Sequence, residues 1–184
     1  MKIPYVDLTY KNKSKKDLIK VFKKVLDQGQ FVGGDEIDLF EKKIAKLCGT
    51  NYAVALNSGT DALTLALHLL GVKKGDEVIT PPNSFIASTA VIVHLGAKPV
   101  FVDVLSDQNI DPNKIQNAIT KKTKVIMPVH LYGSVVNINE IKKLIRGKNI
   151  YIIDDCAQAH GAKDDSGNQV GSLTDISTFS LYPG

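Results

Sequence analysis

Tyr151-Ile-Ile-Asp-Asp-Cys-Ala-Gln-Ala-His160 is the stretch from which the architecture is read. Tyr151 to Asp154 has the apolar run expected at the end of a buried strand. Two carboxylates, Asp154 and Asp155, come where such a strand leaves its sheet, and a short polar turn then carries Gln158 and His160. In an open α/β sheet, ligands bind in the crevice outside the carboxyl ends of the strands. An acid at that place is positioned for chemistry, and the rest of the chain says what it faces.

Working outward, apolar runs of strand length alternate with helical periodicity. Ile37, Phe40, Ile44 and Leu47 repeat at helical spacing over 35–48, and Gly49 follows as a stop. Tyr52 to Leu56 is expected as a short buried strand. Asn57-Ser-Gly-Thr60 opens a helix to Leu70 that is apolar nearly all round, so it is expected to be buried. Glu77 to Thr80 is a strand that Pro81-Pro82 stops. A second apolar helix over about 84–95 ends at Gly96, and Pro99 to Val102 is the next strand. Asp111-Pro112 is an N-cap followed by proline, and Asn137 with Glu140 resembles a capping box for a helix to Arg146. Lys124 to Val129, 150–154 and Asp175 to Ser180 are the remaining strands. This alternation predicts an α/β fold, a mostly parallel sheet with helices on both faces.

Composition narrows the class. A chain of 184 residues, 43% hydrophobic and 23% charged, suits one globular domain with a sizeable core. No run of 18 or more apolar residues is present, so no membrane span is expected. Met1 to Asp7 lacks the apolar centre of a leader peptide. Cys48 and Cys156 form no disulfide framework, and neither has a cysteine or histidine at metal-site spacing. Both are read as reduced thiols of a cytoplasmic protein, and no metal is expected. The net charge of +4 owes much to seven lysines between Lys11 and Lys24. Leu18, Ile19, Phe22, Val25 and Leu26 share a helical face there, so the lysines read as the solvated side of an amphipathic helix. With no interleaved aromatics or nucleic-acid motif, a nucleic-acid partner is not expected.

Parallel strands put every strand-to-helix loop on one edge of the sheet. Ser58-Gly59-Thr60 lies there between a strand and a helix start. Free N–H groups and the positive helix end make that place an anion site, and glycine lets the anion approach. A simple helix cap by Ser58 is the alternative. Phe85 is either core or a face on which a flat heterocycle could stack. Asp154 and Asp155 point to opposite sides of an extended chain, so only one can face a given ligand. The carboxylate either caps backbone amides or faces a cationic ring nitrogen. A phosphate anchor, a stacking aromatic and a carboxylate for a ring nitrogen are the three needs of pyridoxal 5′-phosphate (PLP).

At this point the chain resembles the DegT/StrS family of sugar aminotransferases, PLP enzymes of fold type I. The resemblance runs along essentially the whole chain. It rests on Phe31-Val-Gly-Gly34, Asn57-Ser-Gly-Thr-Asp-Ala-Leu63, Gly75-Asp-Glu-Val-Ile-Thr80, Lys98-Pro-Val-Phe-Val-Asp103, Pro128-Val-His-Leu-Tyr-Gly133, Asp155-Cys-Ala-Gln-Ala-His-Gly-Ala162 and Phe179-Ser-Leu-Tyr-Pro-Gly184. It implies that Gly59, Thr60 and Ser180 bind the phosphate, with Ser58 beside them among the cofactor-binding residues, and that Phe85 stacks on the ring. Asp155, rather than Asp154, partners the pyridine nitrogen, and Gln158 sits beside the ring hydroxyl. In the family a lysine follows the Ser-x-Tyr-Pro-x pattern and forms the Schiff base. Here it is expected directly after Gly184, because Lys163 does not match that position.

The resemblance further implies that residues 1–184 are the N-terminal part of a PLP-binding large domain. The remainder and a small C-terminal domain belong to a chain about twice as long. The implied reaction moves an amino group from glutamate to a nucleotide-linked keto sugar, in a homodimer. Two other readings stay open: a sugar dehydratase with histidine in place of the lysine, and a lysine-free binding or regulatory protein. His130, Tyr132 and His160 lie near the expected site and are read as structural.

Overall fold

The computed structural model of the chain describes residues 12–182. The reading of the N-terminus as leaderless, Lys11 of the lysine cluster and Pro183-Gly184 of the last motif fall outside the described residues. Among the described residues six α-helices are present: α1 (Asn12–Gln28), α2 (Asp35–Cys48), α3 (Gly59–Leu69), α4 (Ile86–His94), α5 (Pro112–Ala118) and α6 (Ile138–Leu144). Five strands accompany them: β1 (Glu77–Thr80), β2 (Lys98–Phe101), β3 (Thr123–Ile126), β4 (Tyr151–Asp155) and β5 (Ile176–Thr178). The strands form one sheet in the order β2-β1-β3-β4-β5, and every pairing is parallel.

The central strands β1, β3 and β4 are buried on both faces, whereas the edge strand β2 is partly exposed. The pleat sends alternate residues to opposite sides. Ile79, Ile126 and Ile152 enter one core with Ile115, Ile138 and Ile141 of α5 and α6. Val78, Val125 and Ile153 enter the other with Leu63, Ala66 and Leu67 of α3 and Val91 and Ile92 of α4. The register keeps like with like, pairing Val78 with Val125 and Ile79 with Ile126. Each fully buried aliphatic side chain contributes about 1.5–3 kcal/mol, so both layers are needed to hold the strands together.

Local chemistry sets the helix ends. Asp111 accepts the Asn113 amide ahead of Pro112, as its spacing predicts. Asn137 accepts the Glu140 amide at 3.3 Å, which is half of a capping box. Gly49 closes α2 with φ 71°, a left-handed turn that a Cβ would strain.

Three expectations are corrected. Tyr52 to Leu56 is not a strand and is not buried. Tyr52 is 86% exposed, and the segment makes no ladder pairing among the described residues. Its backbone is held instead by the Ala55 amide, which donates to Glu41 Oε1 at 2.8 Å. Composition suits a segment to a sheet, but pairing needs a neighbour from elsewhere in the chain. α3 is buried on one face only, leaving Leu65 and Leu69 exposed. The last strand is shorter than expected, ending at Thr178 so that Ser180 lies beyond it. On α1 the lysines from Lys15 onward are solvated, as predicted. Its apolar face, with Leu18, Ile19, Phe22 and Leu26, is also uncovered among the described residues.

Candidate active site

The carboxyl ends of all five strands share one edge, and the segments after β1, β3, β4 and β5 carry Phe85, His130 with Tyr132, Gln158 with His160, and Ser180. Asp155 is the last residue of β4 and lies on the same side as Ile153, two residues earlier, toward α3 and α4. Its Oδ2 accepts a hydrogen bond from Ser88 Oγ of α4 at 2.9 Å, and its Oδ1 accepts from the Ala157 amide at 3.1 Å. Asp155 is 5% exposed, and among the described residues no ion pair reaches it. Burial pushes its carboxyl above the usual carboxylate range, and the bonds from Ala157 and Ser88 offset this only in part.

Asp154 faces the opposite layer and is satisfied there. Thr174 Oγ1 donates to its Oδ1 at 2.6 Å, and His130 Nε2 lies 3.2 Å from its Oδ2. Burial works to raise its carboxyl, but hydrogen bonds from His130, Ser177 and Thr174 together outweigh that and hold it below the usual range. His130 Nδ1 accepts the Val136 amide at 3.0 Å. That bond requires Nδ1 without a proton, so the proton sits on Nε2 and points at Asp154. Cys156 lies in the same buried cluster, with ligand atoms of His130, Asp154 and Cys156 within 4.8 Å of one another. Both ring nitrogens are already engaged, so the histidine has no lone pair to offer a metal. The structural reading of His130 and Asp154 follows from this closed network.

Ser58 caps α3. Its hydroxyl accepts the Asp61 amide and donates to Asp61 Oδ2, both at 3.1 Å. The amides of Gly59 and Thr60 precede any intrahelical acceptor and have no backbone acceptor among the described residues, so they can serve an outside one. Gly59 abuts the segment after β5: a Cβ on it would sit 2.9 Å from Ser180 Cβ and 3.3 Å from the Phe179 carbonyl oxygen. The structure therefore brings Ser180 to the start of α3, across 120 residues of chain.

Phe85 immediately precedes α4 in an extended conformation and is 72% exposed. The core alternative does not describe it. Gln158 Oε1 accepts the Tyr132 amide at 2.8 Å. Its carbonyl end is thus spent on the Tyr132 turn, and its NH2 end is left to donate. Tyr132 adopts φ 55°, uncommon for a side chain of its size, and is exposed. His160 is exposed and its ring packs on Phe179, with centroids 5.3 Å apart. Sequence reasoning missed Ser84 and Ser88. Their one signal was a pair of small hydroxyls spaced by four at the start of an apolar helix.

The parallel sheet faced by helices on both sides matches the fold of solved structures that include aminotransferases. NtdA of Bacillus subtilis, with its cofactor PMP bound, matches with a TM-score of 0.91 at 35% identity, covering 99% of this chain and 41% of that one. Streptomyces venezuelae DesV, in complex with a ketimine intermediate, matches with a TM-score of 0.89 at 37% identity over 98% and 49% of the two chains. In sequence, a dTDP-3-amino-3,6-dideoxy-alpha-D-galactopyranose transaminase of Aneurinibacillus thermoaerophilus is 44% identical over 181 residues, 97% of this chain and 50% of the relative. The chain belongs to the DegT/DnrJ/EryC1/StrS aminotransferase family, whose pattern spans residues 12–184. It covers about half the length of the curated relatives it matches.

Proposed function

We propose that this chain is the N-terminal, cofactor-binding part of a PLP-dependent aminotransferase acting on a nucleotide-linked keto sugar, with glutamate as the amino donor. The observation that carries the reading is Asp155: a buried carboxylate at a strand end, fixed by two donors and lacking a cationic partner among the described residues. A protonated pyridine nitrogen meets that need, and a charge-assisted hydrogen bond there is worth roughly 1.5–3 kcal/mol. The free amides of Gly59 and Thr60, with the hydroxyls of Thr60 and Ser180, suit the phosphate. Ser58 supports them from the cap rather than through a free hydroxyl. Phe85 offers an exposed face for stacking, and the Gln158 NH2 group a donor for the ring hydroxyl.

When bound, PLP supplies an electron sink for chemistry at the carbon bearing the amino group. The chain's own part is to bind and orient it. Asp155 would hold the ring nitrogen protonated, the α3 amides would donate to the phosphate, and Phe85 would fix the ring plane. The covalent anchor and proton carrier is a lysine expected directly after Gly184, in a protein about twice this length that works as a cytoplasmic homodimer. The naming of the A. thermoaerophilus relative supports the sugar substrate.

The test uses the full-length protein. Adding PLP produces a visible absorption band that glutamate bleaches. A protein that gives no band, or a band indifferent to amino donors, sinks the proposal. The residue after Gly184 separates the rivals, since a dehydratase carries histidine there. Borohydride fixes labelled cofactor covalently only where a lysine is present, which excludes a lysine-free binding protein.

A further inference from the structure

α4 is apolar along most of its length, yet Ser88 within it is 1% exposed. A buried helical serine commonly returns its proton to the carbonyl four residues back. Ser88 instead sends it out of the helix to Asp155 Oδ2 at 2.9 Å, on a strand 67 residues away. Ser84 Oγ lies 3.0 Å from Ser88 Oγ. An ionised carboxylate only accepts, and a hydroxyl has one proton. With Ser88 committed to Asp155, Ser84 must be the donor to Ser88, so the relay runs Ser84 to Ser88 to Asp155. The Ala157 amide takes the other oxygen at 3.1 Å. Donors from two different elements thus hold both oxygens and fix the plane of the carboxyl group.

We propose that Ser88, backed by Ser84, is a positioning residue that pins Asp155 from the α4 side in the orientation that receives a cationic ring nitrogen. This rests on the PLP reading above. Phe85 stands three residues before Ser88, one turn away at the head of the same helix. One rigid element therefore indexes both the face on which the ring stacks and the acid that meets its nitrogen. Burial raises the Asp155 carboxyl toward its neutral form, and the Ser88 hydroxyl works against that.

The test compares Ser88→Ala, Ser88→Thr and Ser84→Ala in the full-length protein. Two quantities are read: the titration midpoint of the Asp155 carboxyl in the cofactor-free protein, by NMR of 13C-labelled aspartate, and the dissociation constant for PLP. Ser88→Ala raises the midpoint and weakens PLP roughly tenfold, the loss expected for one hydrogen bond to a charged group. Ser88→Thr, which keeps the hydroxyl, restores both, and Ser84→Ala moves both the same way by less. An unchanged midpoint and PLP affinity in Ser88→Ala overturns the proposal, as does a Ser88→Thr as impaired as Ser88→Ala. If Ser88→Ala does not fold, an unshifted Asp155 midpoint in Ser84→Ala overturns it. A wild-type protein that takes no PLP overturns the functional reading as well. Failure confined to the serine variants leaves that reading standing.

Discussion

Gly59→Ala tests the contact that closes the α3 end of the site. Gly59 is the first residue of α3. Alanine favours a helix interior over glycine by about 1 kcal/mol, and by less in the first turn. Against that, the new Cβ would lie 2.9 Å from Ser180 Cβ and 3.3 Å from both Ser180 Cα and the Phe179 oxygen, where carbon atoms normally stand about 3.5–4 Å apart. Two of the three obstacles are backbone, so relief requires moving the segment after β5. Overpacking of this kind costs about 1–3 kcal/mol, leaving a net loss of roughly 0.5–2.5 kcal/mol once a first-turn helix gain of about 0.5 kcal/mol is subtracted. That lowers the melting temperature of the full-length protein by a few degrees. Pushing Ser180 from the helix start also separates the groups assigned to the phosphate, so PLP weakens by tenfold or more, about one charge-assisted bond. Thermal melts and PLP titration read the two effects. A double-mutant cycle isolates the contact: Ser180→Gly removes the nearest atom and recovers part of the stability, whereas Ser180→Ala keeps Cβ and recovers none. A Gly59→Ala protein as stable as wild type with unchanged PLP affinity refutes the reasoning, and equal recovery by both Ser180 partners refutes the steric cause.

Phe85→Ala leaves stability within about 0.5 kcal/mol, because the ring is exposed, yet weakens PLP roughly fivefold; a loss of 3–5 kcal/mol in denaturant unfolding would mark a core residue instead. His130→Ala strands the buried Val136 amide and takes a donor from Asp154, costing about 3–5 kcal/mol by the same measurement, and a near-neutral change would refute the closed network. The two aspartates give opposite pH signatures without cofactor. Asp155 titrates above 3.8 when folded, so the folded state holds its proton more tightly than the unfolded, and stability falls as pH rises through the window above 3.8. Asp154 titrates below 3.8, so its contribution is present above that value and is lost as pH falls through the window beneath it. Melting temperatures against pH should therefore flatten above 3.8 in Asp155→Asn alone; the same slope in wild type and variant contradicts the assignment.

Much of this was legible in the residues. The strand and helix alternation, the proline and glycine punctuation and the caps at Asp111 and Asn137 are local signals, and the chain obeys them. The tight contact of Gly59 with Ser180 was not legible, since it joins distant segments through packing that no periodicity encodes. Tyr52 to Leu56 misled because its composition suits a strand, while a strand exists only where another lies beside it. The Ser84 and Ser88 pair stayed hidden because two hydroxyls on an apolar helix acquire meaning only from what they touch.

The sequence by itself determined that adjacent Asp154 and Asp155 must face opposite layers, because a strand has period two. It could not say what stood on either side. Tertiary structure put His130 and Thr174 against Asp154, closing it into a satisfied network, and put Ser88 and the Ala157 amide against Asp155. The physical reason is desolvation. Both acids are buried, but only one has its charge fully answered by its neighbours, and which one depends on segments 20 to 67 residues away in the chain.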